Sequence, residues 1–313
     1  MIKYICKRVI LMFLLLLGMS FIVFASLYIA PGDPAIMVAG ITATEDDIAQ
    51  IRTHLGLDRP FMVQYGIYLR NLVTLNLGTS FTSRQPIINE LAVRLPFTLN
   101  LALAAVIISI VVGVPLGIIT ALKRDTIVDN VLTTLSVVGV SIPNFWLGTM
   151  LILLFSVILG WFPTGGMTHF FWTPRGFSQT VLPAIALSTA TVASFTRLGR
   201  SAMLEVLQSD YIRTARSKGL LNRTVIFIHA LKNALIPLVT QLGTNFGLLL
   251  GGAIITEQVF VVNGIGSYMI TAINNRNYPV VQSTVMLIAA MFIFINLIVD
   301  LAYCFIDPRI KYE

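Results

Sequence analysis

The sequence predicts an all-α membrane protein, with six transmembrane helices and a small helical insert between the first and the second. Three observations lead there. The chain is 56% hydrophobic and 11% charged, with a mean hydropathy of +0.86, whereas soluble domains carry about 25% charged residues. Six apolar runs, at about 9–30, 97–122, 131–159, 181–199, 234–256 and 281–304, are each long enough for a ~30 Å hydrocarbon core. Lys and Arg gather at the ends of these runs instead of forming a stripe, so the net charge of +7 reads as membrane topology and not as a nucleic-acid surface.

Lys3, Lys7 and Arg8 precede the first run. A secretory signal has an apolar core of roughly 7–15 residues and a small-residue cleavage site. This run is longer and enters Pro31-Gly32-Asp33-Pro34 without such a site, which predicts a retained helix over 1–30 with its N-terminus inside. Residues 31–96 form the insert. Thr44 before Glu45, Asp46 and Asp47 predicts a helix start, Ile48, Ile51 and Leu55 its buried face, and Gly56 its stop. Pro60 opens a second helix to about Leu72, and Pro86 a third to about Arg94. So short an insert needs the membrane part, or a partner, to cover its apolar faces.

Five runs and their loops follow over 97–306, with a tail at 307–313. Pro115 and Pro143 lie inside the second and third runs, and Pro183 and Pro237 near the starts of the fourth and fifth. Gly113 and Gly117 form one G-x-x-x-G pair; Gly243, Gly247 and Gly251 form a longer ridge. Close helix packing is the favoured role of these residues, and lining of a pathway, with Pro143, the other. Fourteen Lys and Arg lie on the side assigned inside and seven outside, and five of the seven belong to the insert. Both termini are therefore expected inside.

The longest polar, basic segment is the loop at 197–233, which holds seven of the 21 Lys and Arg residues. Ser209 is a candidate cap for a short helix, and Asp210 suits the positive end of its dipole. Arg213, Arg216 and Lys218 suit the other end, and Gly219 can stop the helix in the left-handed conformation. Tyr211, Ile212 and Ala215 share one face, an apolar strip in a basic frame. Such a helix either lies on lipid head groups or docks a cytoplasmic partner.

Other chemistry is missing. The sequence has no G-x-x-x-x-G-K-[ST] phosphate loop, and His54, His169 and His229 are scattered with no metal-ligand spacing. Cys6 and Cys304 form no disulfide framework and read as apolar packing. The runs hold no central acid of the kind a proton-coupled carrier uses; Glu257 and Asp300 lie at or near run ends. Ser136, Ser141 and Ser188 have no recognisable base nearby, against a membrane-embedded enzyme. For Glu257 the favoured reading is a solvated acid, and a candidate outer gate or substrate-amine contact is the minority one.

Thr214-Ala215-Arg216-Ser217-Lys218-Gly219 and Ala234-Leu235-Ile236-Pro237 resemble the EAA loop of binding-protein-dependent ABC importer permeases. Arg213 stands where the general pattern has Glu, and the gap to Ala234 is longer than in sugar-type permeases. Both departures resemble the dipeptide, oligopeptide and nickel branch, close to dipeptide and glutathione permeases. Pro31-Gly32-Asp33-Pro34, Leu55-Gly56-Leu57-Asp58-Arg59-Pro60, Gln64-Tyr65, Leu77-Gly78-Thr79-Ser80, the run from Gly251 to Glu257, Asn277 to Gln282 and Asp307-Pro308-Arg309 extend the resemblance nearly end to end.

The resemblance implies a type I importer permease fold in a bacterial or archaeal inner membrane, with the insert in the periplasm. Its implied partners are a second homologous permease, two cytoplasmic ABC ATPases, a solute-binding protein and membrane lipid, without nucleic acid. The chain itself would hold no cofactor, ATP and Mg being bound by the ATPases, and would be non-catalytic. Asp210, Tyr211, Ile212, Arg213, Thr214, Ala215, Arg216 and Gly219 are the expected ATPase contact, the apolar residues filling a groove and the arginines meeting its acidic rim. The expected cargo is di- or oligopeptides, with glutathione or a nickel chelate as alternatives. An ATPase-independent secondary transporter is the reading from another class.

Overall fold

The computed structural model describes residues 2–29, 33–39 and 43–306. Pro31-Gly32 of the first motif and the tail at 307–313, with Arg309 and Lys311, lie outside the described residues, as do the side chains of Lys3, Asp300 and Cys304. The helices in order are α1 Ile2–Ile29, α2 Pro34–Ala39, α3 Glu45–His54, α4 Phe61–Val73, α5 Ile87–Ile108, α6 Val114–Leu122, α7 Ile127–Ser141, α8 Asn144–Leu151, α9 Pro174–Leu207, α10 Asp210–Ser217, α11 Asn222–Thr224, α12 Leu231–Val259, α13 Ile265–Asn274 and α14 Tyr278–Ile306.

Five stretches are long and apolar enough to cross a membrane: Cys6–Ser26, Ile87–Leu122, Pro174–Leu207, Asn222–Val259 and Tyr278–Val299. Where the third run was expected to cross, there is instead a bent pair of helices, Ile127–Ser141 and Asn144–Ile158, turned by 103°, which makes six spans if the pair counts as one. Pro143 sits in the break with extended backbone, φ −63° and ψ 132°. It was expected within a span; it divides one instead, because proline cannot donate to the turn behind it and its ring crowds that turn. Pro115 has a milder effect. The five residues Ser109–Gly113 before it form a π-turn, the wide turn that often relieves such a conflict.

Three boundaries differ from expectation. The third insert helix is not separate: α5 begins at Ile87 and runs into the second span with Pro96 inside it. The fourth span begins at Pro174, capped by Thr173, so Pro183 is interior and not near its start. Pro237 also lies inside α12. Ile48 and Ile51 on α3 are only half-buried and Leu55 is exposed. The insert is too small to cover that face alone.

Contacts divide the chain into two compact units. One comprises residues 2–96 and 264–294. There α1 meets α4 through an aromatic cluster, with Phe24 and Tyr28 ring centroids 5.2 and 5.0 Å from Phe61. The predicted cap on α3 is a full capping box: Thr44 accepts from the Asp47 amide and the Asp47 carboxylate accepts in return. Gly56 ends that helix region at φ +69°. Ile87 and Leu91 pack with Ile265, Ala272, Val280 and Val281. Asn277, from one of the recognised motifs, donates to the Ser80 hydroxyl at 2.8 Å, which ties two motifs together.

The second unit comprises residues 97–263 and the part of α14 from 295 on. Helix α9 is its axis, packed against α6, α7, α8 and α12. Glycines make this packing close. A Cβ on Gly113 would lie 2.8 Å from the Val192 carbonyl oxygen, and one on Gly117 2.8 Å from that of Thr196. Leu101 and Ala105 of α5, Leu182 and Leu187 of α9, and Leu249 and Ala253 of α12 belong to the buried core of this unit. Small residues let helices approach where apolar burial from water does not drive them together.

Candidate functional site: the α9–α12 loop

An eight-residue helix is too short to persist alone, so α10 must be held by what lies beneath it. Ile212 is fully buried and Ala215 nearly so. They pack with Ala121, Ala202, Met203, Val225, Ile226, Ala230 and Ala234. The apolar strip read from the sequence is real, but it points into the chain's own loop. The expectation that Ile212 and Ala215 fill a partner's groove is therefore corrected: they are already covered by their own chain.

The ends of α10 are formed unequally. Ser209 occupies the cap position, yet its hydroxyl donates back to the Val206 carbonyl at 2.6 Å and makes no side-chain cap, against expectation. At the other end Gly219, at φ +75°, donates to Arg216 O at 2.9 Å, and Leu220 donates to Ala215 O at 3.4 Å. This is the Schellman arrangement, in which the left-handed residue is most easily glycine. Tyr211 is 44% exposed and accepts from the Asn233 amide at 2.7 Å, joining α10 to α12.

The outer face carries Asp210, Tyr211, Arg213, Thr214, Arg216, Ser217 and Lys218, all exposed. Arg213 and Asp210 approach only to 3.7 Å, with side chains 78% and 96% exposed, so water screens the pair almost fully. What α10 presents is a basic, hydrogen-bonding surface on an apolar anchor. That arrangement suits an acidic, polar partner surface.

A second feature was not singled out from the sequence. Arg200, two turns before the end of α9, makes two parallel bonds to Asp129 in the first turn of α7, Nε to Oδ1 at 2.8 Å and Nη2 to Oδ2 at 2.7 Å. The Asp129 side chain is 3% exposed. It also accepts from the Asp125 amide at 3.1 Å and the Thr133 hydroxyl at 3.2 Å. The sequence signal was limited to Thr126 and Asp129 at a helix start; the partner lies 71 positions away.

The remaining candidates separate. Gly113 and Gly117 pack as described, and Gly243 would meet Asn296 Oδ1 at 3.0 Å and Val299 at 3.1 Å. Gly247 is half-buried, while Gly251 is exposed with no atom of the chain within 4 Å of an added Cβ, so the three do not act as one packed ridge. Glu257 is fully buried, not solvated, and accepts the Thr98 hydroxyl bond at 2.5 Å. The favoured reading of a water-facing acid is corrected: near the end of α12 the carboxylate is buried and takes a hydrogen bond from α5 instead of from water. Among the described residues no cluster of three or more His, Cys, Asp or Glu could hold a metal.

Comparison with known proteins extends the loop's likeness to the whole chain. Residues 113–312 match the family model of the binding-protein-dependent transport system inner membrane component, and residues 1–102 match its N-terminal companion model. A dipeptide transport system permease protein of Alkalihalophilus pseudofirmus is 42% identical, with all of both chains covered. A glutathione transport system permease protein of Salmonella choleraesuis is 40% identical, again over all of both chains. Among solved structures, an inward-facing MetNI methionine ABC transporter chain matches with a TM-score of 0.60 and 19% identity, over 71% of this chain and 99% of that one. The likeness to that structure is one of fold.

Proposed function

The chain belongs to the family of binding-protein-dependent transport system inner membrane components, and from that premise we propose that it carries di- or oligopeptides through an inner membrane as one permease of an ATP-driven importer. The relatives named for dipeptide and glutathione transport support the cargo class. Glutathione is itself a small peptide, so it is the nearest alternative.

The observation that carries the mechanism is the build of α10: two buried anchors below and an exposed basic face above. Asp210, Tyr211, Arg213, Thr214 and Arg216 meet a cytoplasmic ATPase, with the arginines against acidic groups on its rim. Ile212, Ala215 and Gly219 hold the helix in shape for that contact. A second permease pairs with this chain, a second ATPase binds that permease, and a solute-binding protein delivers the peptide on the opposite side. Both termini then face the cytoplasm, with the basic loop. ATP binds the closed ATPase pair more tightly than the open one, and this difference in affinity drives closure. Each coupling helix moves with its docking groove and the spans change the side to which they open. Hydrolysis takes place in the partners.

The test is a pull-down of the tagged chain in mild detergent, with hydrolysis assayed on the eluate. Two ATPases, a second permease, and hydrolysis stimulated by binding protein with peptide are the expected result. A chain that elutes alone, and transports without ATP after reconstitution, refutes the proposal. Reversing Arg213 and Arg216 to Glu together should release the ATPases or uncouple transport; normal assembly and coupling in that double variant would refute the role given to α10.

A further inference from the structure

We propose that the Asp129–Arg200 pair is the positioning link through which displacement of α10 reaches the bent span α7–α8. The proposal rests on the reading of α10 as the ATPase-contacting helix.

An unpaired carboxylate buried as deeply as Asp129 would be strongly unfavourable, and here its oxygens receive four donors: two from Arg200, one from Asp125 and one from Thr133. Stability alone does not call for such a pair, since well-packed apolar residues of similar volume often serve as well or better. What two parallel N–H···O bonds add is geometry: they fix distance and rotation together, which a sliding apolar contact does not. Further along the same pair of helices, at Gly139, an added Cβ would lie 3.4 Å from a Thr189 methyl group and 3.8 Å from the Ala193 Cβ, an ordinary apolar contact without a directional bond.

The pair sits where the connection is needed. Two and three residues beyond Arg200, Ala202 and Met203 share the buried cluster with Ile212 and Ala215 of α10. On the same turn, a Cβ on Gly117 would lie 3.1 Å from the Arg200 amide nitrogen, so α6 is also held tightly to α9 there. From Asp129 helix α7 runs to the 103° bend, and α8 beyond it packs Gly148 against Phe260 and Val259 at the end of α12. A push on α10 thus reaches α9 by burial, and α7 by the ion pair.

Three forms test this in complexes purified with their ATPases and reconstituted with binding protein and a radiolabelled mixture of di- and tripeptides. They are Asp129→Asn, which keeps shape and loses charge, Arg200→Lys, which keeps charge and loses the fork, and the exchange Asp129→Arg with Arg200→Asp. Each single variant should retain its ATPases and basal hydrolysis while peptide moved per ATP falls roughly tenfold, a usual size for coupling between sites. The exchanged pair should recover part of the loss, which a purely structural role of either residue would not produce. Single variants with bound ATPases and wild-type peptide per ATP would overturn the proposal. If neither single variant reaches the membrane, the exchanged pair decides: recovered accumulation with coupled transport supports the link, and failure to recover refutes it. A wild-type complex without ATPases, or without ATP-dependent peptide movement, would instead refute the functional reading, and the link with it.

Discussion

Replacing Ile212 by Ala asks directly which way the apolar strip of α10 faces. The side chain is fully buried in a small cluster. Truncation of a buried Ile generally costs about 2–5 kcal/mol, and at the edge of so small a cluster about 2–3 kcal/mol is reasonable. That cost falls on α10 itself, since an eight-residue helix has little stability of its own. Opening of α10 exposes Arg213, Arg216 and Lys218 to trypsin in an unfolded form. When opening and closing are fast, cleavage follows the open population, so the rate should rise roughly 30- to 150-fold at a tenfold change per 1.4 kcal/mol. Tyr211→Ala is the contrast: it gives up a 44% exposed ring and one exposed hydrogen bond to Asn233, so cleavage should rise by about tenfold at most while ATPase binding weakens. The assay is the rate of cleavage in the loop for the detergent-solubilised chain. An Ile212→Ala variant that is cut no faster and yet loses its ATPases would show that the strip faces the partner after all.

The Gly117→Ala variant should lose about 1–3 kcal/mol, because its methyl group meets the Thr196 carbonyl and no rotamer change can move backbone; Gly18→Ala, with open space around it, should leave the melting midpoint nearly unchanged. Glu257→Ala should lower the melting midpoint by an amount equivalent to about 1–3 kcal/mol, because it removes a buried acceptor of the Thr98 hydroxyl. Glu257→Gln keeps an accepting oxygen and should be milder, and selective loss of cationic-peptide uptake in that variant would point to a substrate-amine contact instead. The Arg52 guanidinium holds the Asp33 carboxyl below its ordinary pKa of 3.8. A lowered carboxylate pKa adds stability that is full above the unfolded value and lost as pH falls through the folded one. The protection factors of the α3 amides, exchange rates corrected for their intrinsic pH dependence, should thus be steady from pH 7 to 5 and fall only below about 3.8; a fall near pH 6 would refute the pairing.

What the sequence by itself determined is what depends on near neighbours. Hydropathy and length located five stretches that can cross a membrane and the bent pair at the place of the third run, because a bilayer core sets both over some twenty adjacent residues. Thr44 with Asp47, Gly56 and Gly219 announced their caps, because a cap is made within four or five positions of the chain. The periodicity of Tyr211, Ile212 and Ala215 disclosed an apolar strip on α10. It could not disclose what covers the strip, since the chain's own loop and a partner's groove call for the same residue types. Pro143 was legible as a proline inside an apolar run, but the turn of 103° beside it belongs to the tertiary structure. Burial of Glu257 needed Thr98, 159 positions away, and the burial of Asp129 needed Arg200, 71 positions away. A charge at the end of an apolar run reads as solvated until the fold brings it a partner. Only the tertiary structure supplies that partner, because it alone brings distant parts of the chain into hydrogen-bonding distance.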